Sequence, residues 1–202
     1  MTYALIGDGA TGTTAAFYIR RHDPKGRIRI YSDDPAPAYY RAALTNYLMG
    51  ELRAEQLFAV PPGYYTESNV ERVHRRVGGV DTRNQRLHLS NGESPPYDRL
   101  LIGAGARATM PAFPEAELSG VMTMRTLQDA RFVMDEISSG RLKRAVIVGG
   151  GILGLEWVAG LRARKVEVTY LIRGGVSCRA SSIPSPPTSC SAAAVTSAWT
   201  CG

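Results

Sequence analysis

Residues 3–12 read YALIGDGATG, and this stretch decides the fold. The short apolar run from Tyr3 to Ile6 passes straight into Gly7-x-Gly9-x-x-Gly12, and the segment from Thr11 to Arg21 then carries Ala15, Ala16 and Ile19 at helical spacing. A second apolar run follows at Ile28 to Tyr31. Strand, glycine turn, helix and strand within about 30 residues make a βαβ unit, whose strands are parallel and whose crossover is right-handed. In that setting each glycine has a task. Gly7 permits the tight turn, Gly9 lets the backbone approach a pyrophosphate, and Gly12 lets the helix pack closely on the strand. The helix start, at Ala10 and Thr11, offers N–H groups and the positive end of a dipole to phosphates. The alternative reading is a glycine-rich turn that holds no ligand.

An acid about 20 residues further on is expected to accept hydrogen bonds from a ribose hydroxyl. Ser32 ends the second strand, and Asp33 and Asp34 follow it. Asp33 is the candidate; the alternative is that both aspartates decorate a solvated turn.

Downstream, prolines and tyrosines between Asp33 and Tyr40 mark a loop, and Leu44 to Leu48 reads as a short helix. Val70 to Val80 and Arg86 to Ser90 alternate apolar with polar residues, with the turn signal Asn91-Gly92 after them, so this region is expected to be a small antiparallel insertion. Arg99 to Ile102 is a short strand entering Gly103-Ala104-Gly105. Ala145 to Val148 is another, entering Gly149-x-Gly151-x-x-Gly154, and a second βαβ unit runs on to Ile172. The phosphate argument applies again at Gly149, Gly151, Ile152 and Gly154.

Four segments in this order resemble the two-dinucleotide-binding flavoproteins of the pyridine nucleotide-disulfide oxidoreductase class, nearest to rubredoxin and ferredoxin reductases and the flavin part of assimilatory nitrite reductases. They are LIGDGATG (5–12), YRAAL (40–44), YDRLLIGAGAR (97–107) with MRTLQDA (124–130), and VIVGGGILGLE (146–156). The resemblance implies that the first glycine loop binds FAD and the second binds NADH or NADPH. It implies that Arg41 pairs with the FAD diphosphate or holds the loop against it, with an exposed loop arginine as the alternative, and that Gly103, Ala104 and Gly105 pass close to the cofactor. It places Glu156 near the nicotinamide, against the alternative of a first-turn glutamate favoured by the helix dipole. Arg125 marks entry to the second domain, as a cofactor contact or a structural ion pair. Two departures stand out. Ala42 replaces the family's proline, and Asn46 stands where reductases often carry lysine and thiol-using relatives carry cysteine, which argues against peroxide or disulfide chemistry. After the second βαβ unit, where an acid would select NAD, the sequence gives Leu171-Ile172-Arg173, and Arg173 leans towards a 2′-phosphate.

The expected architecture is therefore α/β: an FAD-binding Rossmann-like domain, doubly wound and three-layered with a small antiparallel β insertion, over residues 1–112, then an incomplete Rossmann-like NAD(P) domain over 113–173. Residues 174–202 hold seven serines, five alanines, three prolines and three cysteines, no acid and only Arg179. That tail is expected to be disordered. In a sequence with 21 arginines against 3 lysines, it is what out-of-frame translation of GC-rich DNA produces.

Composition narrows the function further. The chain has 202 residues, 44% of them apolar, and a net charge of +6. The arginines are scattered, not massed, which excludes a nucleic-acid interface in favour of a solvated surface attractive to anionic cofactors. No run approaches the roughly 18 apolar residues of a membrane span, and cytoplasmic location is the expectation. Cys178, Cys190 and Cys201 all lie in the tail, so redox chemistry in the body falls to a bound cofactor. His22, His74 and His88 lie in no ligand spacing, so no metal site is expected, and no side chain is assigned as catalytic acid, base or nucleophile. The leading expectation is an FAD-dependent NAD(P)H oxidoreductase passing electrons to an iron–sulfur protein or another acceptor. The alternatives are a non-catalytic nucleotide-binding fragment of such an enzyme and, against the second glycine motif, a flavin monooxygenase or amine oxidase.

Overall fold

The computed structural model describes residues 1–110 and 116–172, together with the backbone of 193–195. The chain forms two compact units: residues 1–40 with 57–123, and residues 41–56 with the chain from Met124 onward.

The first unit is built on β1 (Thr2–Ile6), α1 (Ala10–His22) and β2 (Arg27–Ser32). β1 lies parallel to β2 on one side and to β6 (Arg99–Ile102) on the other. β3 (Val70–His74) extends the sheet beyond β2, also in parallel, giving the order β3-β2-β1-β6. Alternation along the strands makes two apolar faces. Leu5, Ile28 and Ile30 pack with Ala16 of α1 on one face, and Ala4 and Tyr31 pack with Leu87, Leu89 and Tyr97 on the other. The second group comes from a ribbon of β4 (Val77–Asp81) and β5 (Arg86–Leu89) and the chain that follows it. Helix, sheet and ribbon are thus the three layers.

The antiparallel insertion is smaller than its sequence suggested. Val70–His74 is an edge strand of the parallel sheet, and only β4 and β5 pair antiparallel. At the sheet's edge the face that carries Glu71 is only half covered, so a charged residue that pairs with Arg27 and Arg29 of β2 fits there and produces the alternation of an exposed hairpin. The turn between β4 and β5 is at residues 82–85, where the Asp81 carboxylate accepts from the amides of Arg83 and Asn84. Asn91-Gly92 makes a second reversal, with Gly92 at φ +86°, and the chain then runs back along β5 through the Leu89–Glu93 and Leu87–Pro95 backbone hydrogen bonds.

The second unit contains α2 (Leu44–Met49), α4 (Leu127–Ser138), β7 (Arg144–Val148), α5 (Ile152–Ala163) and β8 (Glu167–Ile172). The remaining short helix, α3 (Tyr64–Glu67), belongs to the first unit. β7 and β8 are parallel and joined through α5. β9 (Ala193–Val195) lies antiparallel to β8, inside the segment expected to lack order. The rest of that expectation, with Arg173 and the three cysteines, lies outside the described residues.

Residues 41–56 were expected within the first domain, yet they pack with the second unit. The reason is local: α2 packs on α4 and α5, burying Leu44 and Leu48. Gly160 of α5 leaves room for Leu48, and the Arg164 guanidinium donates to the Leu48 carbonyl at the end of α2. The Thr126 hydroxyl starts α4 by accepting from the Asp129 amide at 3.1 Å, while the Asp129 carboxylate accepts from the Thr126 amide at 2.7 Å. No helix among the described residues is long and apolar enough to cross a membrane.

Candidate functional site

In the first unit the glycine loop sits at the C-terminal edge of the parallel sheet, where open α/β sheets hold ligands. Gly7 has φ +105°, and a β-carbon there would fall on the Gly103 carbonyl and within 3.1 Å of the Ala104 Cα. A β-carbon on Gly12 would collide with the Gly7 carbonyl. The chain itself therefore requires both glycines. Gly9 is different: its backbone is extended, at φ −102° and ψ −164°, and a β-carbon there would touch nothing within 4 Å. The fold gives no reason for that glycine, whereas an external group lying against the loop does. Gly9 is also the N-cap of α1 and no side chain caps it, so the helix start at Ala10 and Thr11 keeps its amides for an acceptor from outside.

The loop after β6 runs beside this one. The Gly103 amide donates to the Ile6 carbonyl at 2.7 Å, a β-carbon on Gly103 would meet the Thr11 side chain at 3.0 Å, and Gly105 has φ +70°. Gly7, Gly9, Ala10, Thr11, Gly12, Gly103, Ala104 and Gly105 are thereby gathered at one place. Asp33 lies at the same edge, just beyond β2, with its carboxylate exposed and 3.6 Å from Arg107. Asp34 is committed to the loop, since its carboxylate accepts from the Tyr39 hydroxyl at 3.1 Å and from the Ala36 amide at 3.1 Å.

Sequence reading passed over Asp8, the residue inside the glycine loop. Its carboxylate is only 2% exposed and is paired with Arg72, while the Tyr65 hydroxyl donates to it at 2.8 Å. Burial pushes the Asp8 carboxyl up, and the hydrogen bonds from Arg72 and Tyr65 work against that rise. Burial also raises the Tyr65 hydroxyl, and the adjoining carboxylate adds to it. A charged side chain at the variable position of a glycine loop carries no sequence signal, because its partner lies 64 residues away.

The second glycine loop repeats the first. Gly149 has φ +124° and its amide donates to the Leu171 carbonyl at 2.9 Å. A β-carbon on Gly154 would come within 2.6 Å of the Gly149 carbonyl and 3.0 Å of the Tyr170 hydroxyl. Gly151 is extended, caps α5 without a side chain, and would have nothing within 4 Å of an added β-carbon. Ile152, the first residue of α5, is exposed. Glu156 accepts from the Thr45 hydroxyl at 3.5 Å. Arg41 belongs to this unit, where its guanidinium donates to the Arg125 carbonyl at 3.3 Å, and the Arg125 amide donates to Asp129. Asn46 donates to the Glu51 carboxylate at 2.6 Å.

Two βαβ units, each opening through a glycine loop that leaves room for a phosphate, define a protein of the two-dinucleotide type. The profile of the pyridine nucleotide-disulphide oxidoreductase family matches residues 1–182, and the chain belongs to that family. It is 33% identical over 174 residues to the biphenyl dioxygenase system ferredoxin–NAD(+) reductase component of Paraburkholderia xenovorans, covering 86% of this chain and 42% of that one. It is 28% identical over 176 residues to the rubredoxin–NAD(+) reductase of Ectopseudomonas oleovorans, covering 84% of this chain and 45% of the relative. Among solved structures, a ferredoxin reductase from Rhodopseudomonas palustris superposes with a TM-score of 0.76 at 28% identity, over 84% of this chain and 42% of that one. The chain thus spans less than half the length of these relatives.

Proposed function

We propose that this chain is the cofactor-binding part of an FAD-dependent NAD(P)H oxidoreductase whose electrons leave for an iron–sulfur protein or a similar acceptor. The observation that carries the reading is Gly9: a glycine with ordinary backbone angles, no steric reason within the chain, and open space where its side chain would be. In this reading Gly7, Gly9, Ala10, Thr11 and Gly12 hold the FAD diphosphate at the start of α1. Gly103, Ala104 and Gly105 let the cofactor lie against the end of β6, and Asp33 accepts from the ribose hydroxyls. Gly149, Gly151, Ile152 and Gly154 do the same for the pyridine nucleotide, with Glu156 positioned by Thr45 in the second turn of α5, beyond the first turn, which holds no acid. Arg41 holds its loop through the Arg125 carbonyl. Bound FAD supplies the redox chemistry, accepting a hydride and releasing electrons singly; the protein binds, orients and shields. The names of the relatives, reductases of ferredoxin and rubredoxin, support the acceptor class.

A second reading is favoured by the 42% coverage of the biphenyl-system relative: a nucleotide-binding segment that holds cofactor without turning over by itself. Absorbance between about 350 and 500 nm, recorded without oxygen before and after NADH or NADPH, separates the two. A flavin spectrum that bleaches supports the oxidoreductase; one that persists supports the non-catalytic segment; a folded chain that takes up no flavin overturns both.

A further inference from the structure

The geometry points to Arg72 as a positioning residue that fixes the spacing between the diphosphate loop and the ribose loop of the first unit. Arg72 sits on β3, the edge strand, and contributes no atom to either glycine loop. Its Nε donates to the Asp8 carboxylate inside the first glycine loop. The other end of the same guanidinium donates to the carbonyls of Asp34 at 2.7 Å, Ala36, and Pro35 at 3.4 Å, in the loop that begins with Asp33. One planar cation thereby spans the two segments that the proposed function assigns to the diphosphate and the ribose of the ADP half of FAD, and this inference rests on that assignment. Tyr65 reinforces the arrangement, since its hydroxyl donates to Asp8 and accepts from the Ala38 amide at 3.1 Å, with the guanidinium 5.9 Å from the ring centre.

The chemistry requires arginine. A guanidinium presents donors in a fixed fork and reaches a carboxylate and several carbonyls together, whereas an ammonium is a point charge on a flexible stem. Asp8 in turn needs a cation, because its carboxylate is buried beside the place meant for a diphosphate. Arg72 cancels that charge and ties the loop to the ribose side in the same contact. Lysine would keep the neutralisation and lose the tie.

Hydrogen exchange of the full chain tests this, followed peptide by peptide in wild type, Arg72→Lys and Asp8→Asn, alongside FAD affinity. Arg72→Lys is expected to speed exchange about tenfold in both the 7–12 and the 33–36 segments, the equivalent of one charged hydrogen bond, while β1 and the interior of α1 keep their protection. FAD affinity is expected to fall about tenfold with it. Asp8→Asn is expected to loosen the glycine loop alone, since the carbonyl contacts of Arg72 survive. Loosening of only one segment in Arg72→Lys, or of the whole sheet uniformly, overturns the proposal. If wild type takes up no FAD, the functional reading fails by itself, and the exchange pattern still decides whether Arg72 joins the two loops.

Discussion

A β-carbon on Gly7 would fall on the carbonyl oxygen of Gly103. The turn after β1 and the turn after β6 therefore meet backbone to backbone, and the candidate cofactor groove rests on that contact. Gly7 is also held at φ +105°, in the region L-residues avoid. Gly7→Ala combines the conformational cost with the overlap, and a loss of about 2–4 kcal/mol is expected in urea denaturation. A loss under about 0.5 kcal/mol would mean that the two turns separate easily, contrary to the packing described.

Glu71 gives a pH-dependent prediction. It joins β3 to β2 by accepting from Arg29 at 2.9 Å and Arg27 at 3.0 Å. Burial works to raise its carboxyl, but the hydrogen bonds from Arg29 and Arg27 outweigh it and hold it below the ordinary carboxylate range. A depressed carboxyl stabilises the fold above its unfolded value and loses that contribution as pH falls through the folded one. The residue is nearly half exposed, so screening keeps the effect small. Glu71→Gln is expected to cost about 0.5 kcal/mol at neutral pH and nothing measurable near pH 2. A difference that grows towards acid would contradict the assignment.

In the second unit, Gly160 and Leu48 are expected to be coupled. A β-carbon on Gly160 would lie 2.8 Å from Leu48 Cδ2, and Leu48 is fully buried. Gly160→Ala gains up to about 1 kcal/mol of helix propensity in α5 but overpacks the contact by about 1–3 kcal/mol, for a net loss of about 1 kcal/mol. With Leu48→Ala already in place the same change is expected to stabilise, because only the propensity gain remains. Additive effects in the double variant would show that α2 does not pack on α5 as described.

Much of this was legible in the sequence, and the exceptions have physical causes. Both glycine loops lie where spacing put them, because a strand, a tight turn and a helix start are local features fixed by adjacent residues. Val70–His74 was misplaced because an edge strand of a parallel sheet carries the alternation of an exposed hairpin, and pairing with β2 is a long-range choice. The placement of Arg41–Gln56 with the second unit was hidden for the same reason: the apolar residues of α2 declare a buried face without naming what buries it. Asp8 and Arg72 were missed because neither has a local signal. Their meaning comes from a guanidinium that reaches across the sheet edge to a loop 64 positions earlier.

In the proposed function the first glycine loop is shaped by a flavin dinucleotide and the second by a pyridine nucleotide. Titration of the full chain with FAD, comparing Gly9→Ala with Gly151→Ala, tests it most directly. Neither substitution meets a clash, so both variants are expected to keep their stability to within about 1 kcal/mol. FAD binding is expected to fall at least about tenfold in Gly9→Ala and to stay at the wild-type level in Gly151→Ala. Undiminished FAD binding by folded Gly9→Ala, or equal losses in both variants, would contradict the account.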